Sequence, residues 1–366
     1  MTDTLASYVS QLPSCFDALK NDGKPIVLYG MGDGADKILN VCEAKGIRID
    51  GVFASDGFVR DKMFRGHHLE SYSSLRERFG KMTVLVSFAS RLPDVMEKIR
   101  ALEETDDLYA PDVPVFGEGL FDMAYFKEHA DELEQVYASL SDEQSRSVMR
   151  NIVAYKITGR IGYLAECETE VDESYDTIIR PKDGSTFLDV GAYNGDTVSE
   201  YIEHAGKHCR AVAFEPDERN FRKLSENIAS MPLASYELHN AAAWDADETR
   251  TFFARSGRNS AASTVHKKAK TVEICCEKID TALGNEHIDF VNIDAEGSDM
   301  RVIEGMRETI ARCRPTLLCA VYHRNEDLFA IPTRLMELYG EYELYLRHFP
   351  YIPGWDTNIY IKPKRN

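Results

Sequence analysis

The stretch FLDVGAYNGDT, residues 187–197, decides the fold of the C-terminal half of the chain. An apolar run ends in an acid, Asp189, and continues through a turn with two glycines, Gly191 and Gly195, into a helical stretch. Glycine permits a tight turn, and the first helical turn presents free N–H groups to a ligand. A carboxylate beside this turn would repel a pyrophosphate, but it suits a ligand that carries an ammonium group. We therefore predict a strand–turn–helix site for such a ligand.

Three further strands are predicted to end in polar groups at the same edge. Glu215, within AFEPDERN (213–220), comes at the tip of the second strand, where a carboxylate can accept hydrogen bonds from both ribose hydroxyls. The third strand ends in HNAAAW (239–244), which offers an amide and small side chains for an adenine. The fourth ends in NIDAEG (292–297), another acidic strand end. Ligands of open α/β sheets bind at this edge, so the pattern predicts a cationic nucleoside without phosphate.

The order of apolar runs predicts an α/β fold. We predict strands at Thr186–Val190, Ala211–Phe214, Tyr236–Ala243, Asp289–Ile293, Thr316–Val321, Tyr342–Arg347 and Asn358–Ile361. Helical stretches separate the parallel strands, and an antiparallel excursion is predicted at 251–254 and 271–275. A seven-stranded, Rossmann-like sheet that ends in an antiparallel hairpin is the architecture of class I S-adenosylmethionine-dependent methyltransferases.

The N-terminal half is predicted to be a smaller Rossmann-like α/β domain. It begins with a strand at Pro25–Tyr29, the turn GMGDG (30–34), a helix to Lys45 and a strand at Gly51–Ala54. Further strands are predicted at 83–89 and 113–116, with a helix at 92–102 between them. We expect this domain at 1–120, a helical connector at 121–180 and the methyltransferase domain at 181–366.

The composition limits the partners of the chain. The 366 residues carry a formal net charge of -18 and no basic run, which disfavours nucleic acid and anionic membrane surfaces. The eight cysteines form no CxxC pair, and we find neither a signal peptide nor an apolar stretch of about 20 residues. We expect a cytoplasmic protein that acts on a small molecule and could form a homo-oligomer.

The motifs between 183 and 366 resemble the FkbM family of methyltransferases. The matching pieces are FLDVGAYNGDT, AFEPDERNF, HNAAAW, VNIDAEGSDMRVIEGM, RPTLLCAVYH and WDTNIYI. The resemblance implies O-methylation of hydroxyls on sugars, polyketides and other natural products, with S-adenosylmethionine as cofactor. Together with the strand-end pattern, it gives these predicted cofactor-binding residues: Asp189, Gly191, Ala192, Tyr193, Asn194, Gly195, Asp196, Thr197, Glu215, Pro216, Asn220, Asn240, Ala241, Ala242 and Asp294.

Two residues are candidate catalytic bases for removing the proton of an acceptor hydroxyl, Glu296 and His323. Both follow predicted strands at the correct edge, and the unperturbed pKa of histidine lies near working pH. Alternatively, His323 is a core or capping histidine and Glu296 anchors its loop. Together with Asp294 and Asp299 they could also hold a divalent cation, but we assign no metal site. The segment RSGRNSAAST (255–264) could contribute to the acceptor site or be an ordinary exposed loop.

The N-terminal glycine turn leaves alternatives open. Gly30, Gly32 and Gly34, with Asp56 downstream as a ribose acid, could bind a nucleotide or a nucleotide-linked sugar. The same half could instead be a scaffold or an interaction module. Two other functions therefore remain, a nicotinamide-dependent oxidoreductase that uses this turn and a non-catalytic nucleotide-binding module.

Overall fold

The computed structural model describes residues 4–55, 62–253 and 271–364, which fall into two compact units. The N-terminal unit comprises Met1–Ala138, Glu143–Thr169 and His348–Asp356. The C-terminal unit comprises Ser139–Asp142, Glu170–Arg347 and Thr357–Asn366. The expected connector, 121–180, is thus divided between the units, with most of its residues in the N-terminal one.

The N-terminal unit contains a six-stranded mixed sheet. Its strands are β1 (Ile26–Tyr29), β2 (Gly51–Ala54), β3 (Met63–Phe64), β4 (His67–Ser71), β5 (Thr83–Val86) and β6 (Asp107–Tyr109). They lie in the order β3-β4-β2-β1-β5-β6, and only β3 runs antiparallel to its neighbour. The helices are α1 (Leu5–Val9), α2 (Cys15–Lys20), α3 (Asp33–Lys45), α4 (Tyr72–Phe79), α5 (Pro93–Thr105), α6 (Met123–Glu128), α7 (Ala130–Ser139), α8 (Glu143–Thr158) and α9 (Gly162–Ala165). A separate N-terminal α/β sheet is therefore confirmed.

One strand of this sheet differs from the prediction. The predicted strand at 113–116 is not a strand, and the edge position is taken by β6, which pairs with β5. Pro114 lacks the N–H group that a strand in a ladder would donate. The carbonyls of Pro114 and Val115 are instead each bound by the ammonium group of Lys37 at 2.9 Å.

The C-terminal unit is built on a seven-stranded sheet, as the sequence predicts. Its strands are β7 (Thr186–Val190), β8 (Arg210–Phe214), β9 (Ser235–His239), β13 (Phe290–Ile293), β14 (Thr316–Ala320), β15 (Tyr342–His348) and β16 (Thr357–Pro363), and a three-stranded sheet contains β10 (Ala242–Trp244), β11 (Glu248–Phe253) and β12 (Thr271–Lys278). The large sheet has the order β15-β16-β14-β13-β7-β8-β9, and β16 runs antiparallel to β14. The predicted fold class, a class I methyltransferase-like sheet with antiparallel C-terminal strands, is confirmed.

Two predicted elements are each divided in two. The third predicted strand becomes β9 and β10, which lie in different sheets because β10 pairs with β12. The helical stretch predicted between the strands at Asp289–Ile293 and Thr316–Val321 forms two helices, α14 (Asp299–Gly305) and α15 (Arg307–Cys313). The remaining helices are α10 (Val171–Ser174), α11 (Asp196–Ala205), α12 (Glu218–Ile228), α13 (Ile279–Leu283) and α16 (Asp327–Tyr339), with a π-helical turn at Tyr175–Ile179. Over the part of the chain that is described, no helix has both the length and the apolar character needed to cross a bilayer.

An aromatic stack supports the central strand β7. The rings of Phe187 on β7, Tyr201 on α11 and Phe290 on β13 are stacked, with centroids 4.5–5.4 Å apart. All three side chains are buried, so this stack joins α11 to the two central strands. It fixes the strand whose carboxyl end carries the FLDVGAYNGDT motif.

The register of the sheet places five strands at one level. Val190 pairs with Phe214 and Ile293, Phe214 pairs with His239, and Ile293 pairs with Cys319. The residues that follow these five positions therefore emerge at the same edge. This edge carries all the strand ends that the sequence singled out in the C-terminal half.

Candidate functional site

The turn after β7 needs a glycine at its first position. Gly191 has a φ of 84°, and a Cβ atom there would lie 2.0 Å from the carbonyl oxygen of Asp294. The N–H groups of Gly191 and Ala192 both donate to the carbonyl of Phe214 at 3.0 Å. Any side chain at 191 would therefore meet backbone atoms of the neighbouring strand end.

The second glycine of the motif begins α11. Gly195 has a φ of 85° and donates to the carbonyl of Ala192 at 2.7 Å. The side-chain oxygen of Asn194 accepts from the N–H of Asp196 at 3.2 Å. Tyr193 also lies in the left-handed region and its side chain is exposed, as is that of Asp196, while Thr197 is half-buried. The turn thus presents both backbone and side chains at the sheet edge.

Asp189 provides a buried carboxylate beneath this turn. Its Oδ1 accepts a hydrogen bond of 2.8 Å from Asn292 on β13, whereas its Oδ2 has no partner among the described residues. Burial raises the pKa of Asp189 to about 7, against the hydrogen bond from Asn292, which lowers it. A buried carboxylate oxygen without a partner is costly and is compensated by a donor with positive charge. An ammonium group of a bound ligand fits this requirement.

Glu215 lies at the end of the neighbouring strand β8 and is also buried. Its Oε2 accepts from the N–H of Tyr193 at 2.9 Å and its Oε1 from the N–H of Asp217 at 2.8 Å. Burial raises the pKa of Glu215 to about 7, although these backbone hydrogen bonds lower it. A carboxylate has about four acceptor positions, and with the side-chain hydrogen bond from Asn220 three of them are occupied, so one remains for a ribose hydroxyl.

The other predicted cofactor residues surround Glu215. The side-chain amide of Asn240 donates to the carbonyl of Glu215 at 2.9 Å, which ties the end of β9 to that of β8. Asn220 bonds the Glu215 carboxylate through its side chain. Pro216 and Ala242 are half-buried and Ala241 is fully buried. The structure therefore brings the predicted cofactor residues together at one edge of the sheet.

The loop after β13 is held in a strained turn. Glu296, a predicted catalytic residue, is half-buried and has a φ of 49°. The carboxylate of Asp299 accepts from the N–H of Ala295 at 2.8 Å and from the N–H of Gly297 at 3.1 Å. Asp299 therefore closes the turn around Glu296 and offsets the cost of its left-handed conformation.

His323, the other predicted catalytic residue, lies between two carboxylates. Its Nδ1 is 3.0 Å from Oδ2 of Asp299 and its Nε2 is 3.2 Å from Oδ1 of Asp294. The ring is 1% exposed, whereas the side chain of Asp294 is 44% exposed. Burial acts to lower the pKa of His323, but the two carboxylates raise it well above the usual value. Of this cluster, Asp294 is the group that faces open space.

Asp294 is held from two sides. Besides its contact with His323, it accepts at Oδ2 a hydrogen bond of 3.1 Å from the hydroxyl of Tyr322. Burial acts to raise the pKa of Asp294, but the hydrogen bond and the charge of His323 hold it below the usual value. Asp294 is therefore an oriented, ionised carboxylate next to the glycine turn.

The cluster of Asp294, Asp299 and His323 has the residue types of a cation site. Asp294, Asp299 and His323 can each offer one ligand atom, all within 4.8 Å of one another. However, both oxygens of Asp299 accept backbone N–H groups, and the two ring nitrogens of His323 face different carboxylates. The donor set is thus satisfied internally, and we derive no metal-dependent step from it.

Sequence reasoning missed three partners of the predicted residues. Asn292 orients Asp189, Tyr322 orients Asp294, and Asp299 orients His323. Asn292 could have been found, because the parallel register pairs it with Asp189. The hydroxyl of Tyr322 could not, because its direction depends on how the chain leaves β14.

The N-terminal glycine turn has an explanation in packing. A Cβ atom at Gly34 would lie 2.4 Å from the carbonyl oxygen of Ser87, and one at Gly30 would lie 2.7 Å from the hydroxyl of Ser87. Gly32, by contrast, faces open space. Two of the three glycines are thus accounted for by the contact of this turn with the end of β5. The predicted ribose acid, Asp56, and the segment 255–264 lie outside the described residues.

The fold and the edge of acidic strand ends define a class I methyltransferase, and the family comparison agrees. Residues 189–353 match the family described as Methyltransferase FkbM domain. The C-terminal half of the chain is therefore an S-adenosylmethionine-dependent methyltransferase domain of the FkbM family. The predicted family and cofactor are confirmed, which favours the methyltransferase interpretation over the two alternatives.

One solved structure shares the fold over nearly the whole chain, and others are similar to about half of it. A methyltransferase FkbM from Methylobacillus flagellatus is 17% identical, with a TM-score of 0.68, and the match covers 98% of this chain and 97% of that one. An rRNA methylase from Streptococcus thermophilus is 14% identical, with a TM-score of 0.36, over 54% of this chain and 98% of that one. Fibrillarin from Aeropyrum pernix, solved with S-adenosyl-L-methionine, is 15% identical, with a TM-score of 0.32, and the match covers 49% of this chain and 67% of that one. No curated protein matches the sequence.

Proposed function

We propose that the chain transfers a methyl group to a hydroxyl of a small acceptor, carbohydrate-like or another natural product. The observation that carries this proposal is the position of Asp294. Its backbone carbonyl lies against Gly191 of the cofactor turn, and its carboxylate is ionised, oriented and partly exposed. A hydroxyl nucleophile must lose a proton, and such a carboxylate next to the methyl donor can accept it.

The residues at the sheet edge divide between the two substrates. A bound S-adenosylmethionine would supply the methyl group, with the electron pair of the C–S bond left on sulfur as the acceptor oxygen forms the new C–O bond. In this proposal Asp189 binds the ammonium group and Glu215 binds the ribose. Asn240, Ala241 and Ala242 border the adenine. The protein's main task is alignment, because a well-oriented pair of reactants accounts for much of the acceleration.

Cofactor binding is tested first. Calorimetry with S-adenosylhomocysteine should detect binding to the wild type and a weaker affinity for Glu215→Gln, because the amide keeps the shape but loses the charge. Glu218→Gln is the matched control, since Glu218 is exposed on the following helix. No binding to the wild type, or equal affinities for both variants, would contradict the assigned cofactor site.

The acceptor class is tested with methyl-labelled cofactor. A panel of methyl glycosides is compared with the amino sugars that differ from them only at the reacting position. We expect label in alkali-stable methyl ethers and none in the amines. Transfer to the amines alone, or to neither set by a protein that binds the cofactor, would exclude O-methylation of these acceptors.

A further inference from the structure

The carboxylate of Asp299 has three partners, two backbone N–H groups of the loop after β13 and the ring of His323. One oxygen accepts from the N–H of Ala295, and the other accepts from the N–H of Gly297 and faces the Nδ1 of His323. The side chain is 1% exposed. Asp299 cannot move without releasing either the loop or the imidazole ring.

The ring of His323 has acceptors on both sides. A carboxylate oxygen of Asp299 faces Nδ1, and one of Asp294 faces Nε2 at 3.2 Å. A neutral imidazole carries one N–H donor, so one of these contacts would then join two acceptors. With both carboxylates ionised, both contacts are favourable only when both ring nitrogens carry a proton. The geometry therefore requires a doubly protonated ring.

We propose that Asp299 is a positioning residue that fixes the ring of His323 as a two-ended donor, with its Nε2–H directed at Asp294. This inference rests on the proposed function only in taking Asp294 as the group that faces the acceptor. His323 has no free nitrogen to act as the base. The proton that leaves the acceptor hydroxyl goes to a carboxylate oxygen of Asp294, and His323 and Asp299 keep that carboxylate oriented.

The charges around the ring support this assignment. Asp294 approaches His323 from the loop after β13, Asp299 from the start of α14 and Asp327 from the start of α16. The centroid of the Tyr322 ring lies 4.3 Å from that of His323. Burial, and to a smaller extent the charge of Asp299, raise the pKa of Asp327 to about 7. Near neutral pH this third carboxyl group is therefore only partly ionised and adds only part of a negative charge near the ring. The two directly bonded carboxylates dominate.

The test is ¹⁵N NMR of the histidine side chains of the full chain, with the His323 signals assigned by their loss in His323→Gln. In the wild type we expect both ring nitrogens of His323 to stay protonated at a pH where free histidine is neutral. Asp299→Asn should leave the ring neutral at that pH, because one bonded charge is lost. Asp327→Asn is the matched control, since its carboxylate accepts from the N–H of Arg324 and not from the ring.

The outcomes separate the two proposals. A neutral His323 ring in the wild type would overturn the positioning role of Asp299. If Asp299→Asn does not fold, the wild-type spectrum is sufficient to decide. An unchanged ring in Asp299→Asn, or an equal change in Asp327→Asn, would overturn it as well. Failure of the wild type to bind S-adenosylhomocysteine would instead contradict the proposed function and leave the ring spectrum as predicted.

Discussion

Asn292 on β13 donates a hydrogen bond of 2.8 Å to Oδ1 of Asp189 on the neighbouring strand β7. This contact satisfies only one oxygen of a fully buried carboxylate, and Oδ2 has no partner among the described residues. The pair is therefore incomplete without a ligand. Its chemistry leads to two predictions that can be measured without knowing the methyl acceptor.

The first prediction concerns the pH dependence of cofactor affinity. The pKa of Asp189 and that of Glu215 are both raised to about 7, and both carboxylates must be ionised to bind an ammonium group and ribose hydroxyls. Affinity for S-adenosylhomocysteine should therefore fall as the pH drops below about 7, by up to about tenfold per pH unit for each proton released. Calorimetry in two buffers of different ionisation enthalpy counts these protons. An affinity that is flat from about pH 5.5 to 8.5 would rule out both groups.

The second prediction concerns the stability of the protein without ligand. Because the pKa of Asp189 is raised to about 7 in the folded protein, the native state binds a proton that the unfolded chain has lost. Stability should decline as the pH rises from about 4 to 7, with a limiting cost of about 4 kcal/mol above that range. Asp189→Asn removes the share of this decline that comes from Asp189 and leaves the shares of Glu215 and Asp327, whose pKa values are also raised to about 7. The difference between wild type and variant in thermal unfolding at several pH values measures it. Parallel curves for wild type and variant would mean that Asp189 titrates normally.

The third prediction concerns the glycine turn. Gly191→Ala would place a Cβ atom 2.0 Å from the carbonyl oxygen of Asp294, so we expect misfolding of the turn and loss of cofactor binding. Gly184→Ala is the control, because Gly184 has a similar φ of 82° but faces open space. The control should show only the backbone cost of roughly 1–2 kcal/mol. Equal thermal midpoints for the two variants would show that the contact at 191 has little effect.

The fourth prediction concerns the N-terminal unit. Gly34→Ala would bring a Cβ atom to 2.4 Å from the carbonyl oxygen of Ser87, so it should clearly lower the thermal midpoint of this unit. Gly32→Ser should leave it unchanged or raise it slightly, because position 32 is open and serine is a good N-cap for α3. If Gly32→Ser is the more harmful of the two, the turn has a requirement that packing does not explain.

The parts of the fold that follow from local patterns could be predicted from the sequence. The strand at Thr186–Val190 was predicted to the residue, because an apolar run followed by two glycines has few alternatives. The prediction of a strand at 113–116 was wrong because it gave more weight to the apolar composition of this segment than to the missing N–H group of Pro114. The hairpin formed by β3 and β4 was not predicted, since Met63–Phe64 is too short to give a pattern.

The sequence was sufficient to predict which residues form the site, but not which hydrogen bonds they make with one another. Parallel strands bring their carboxyl ends to one edge, so Asp189, Glu215 and Asp294 could be grouped from sequence alone. The direction of each side chain could not be predicted, because it depends on distant partners. His323 was selected as a base for its ordinary pKa, whereas its two bonded carboxylates change that pKa.

The close approach of Gly191 to Asp294 also has a mechanical consequence. The turn that we propose for the cofactor and the loop that we propose for the acceptor are in contact through backbone atoms, and the N–H of Asp294 donates to the carbonyl of Val190 at 2.9 Å. Neither segment can shift alone without breaking this hydrogen bond or the backbone contact. We therefore expect a substrate that shifts one of these segments to shift the other as well, so that binding of one substrate affects binding of the other.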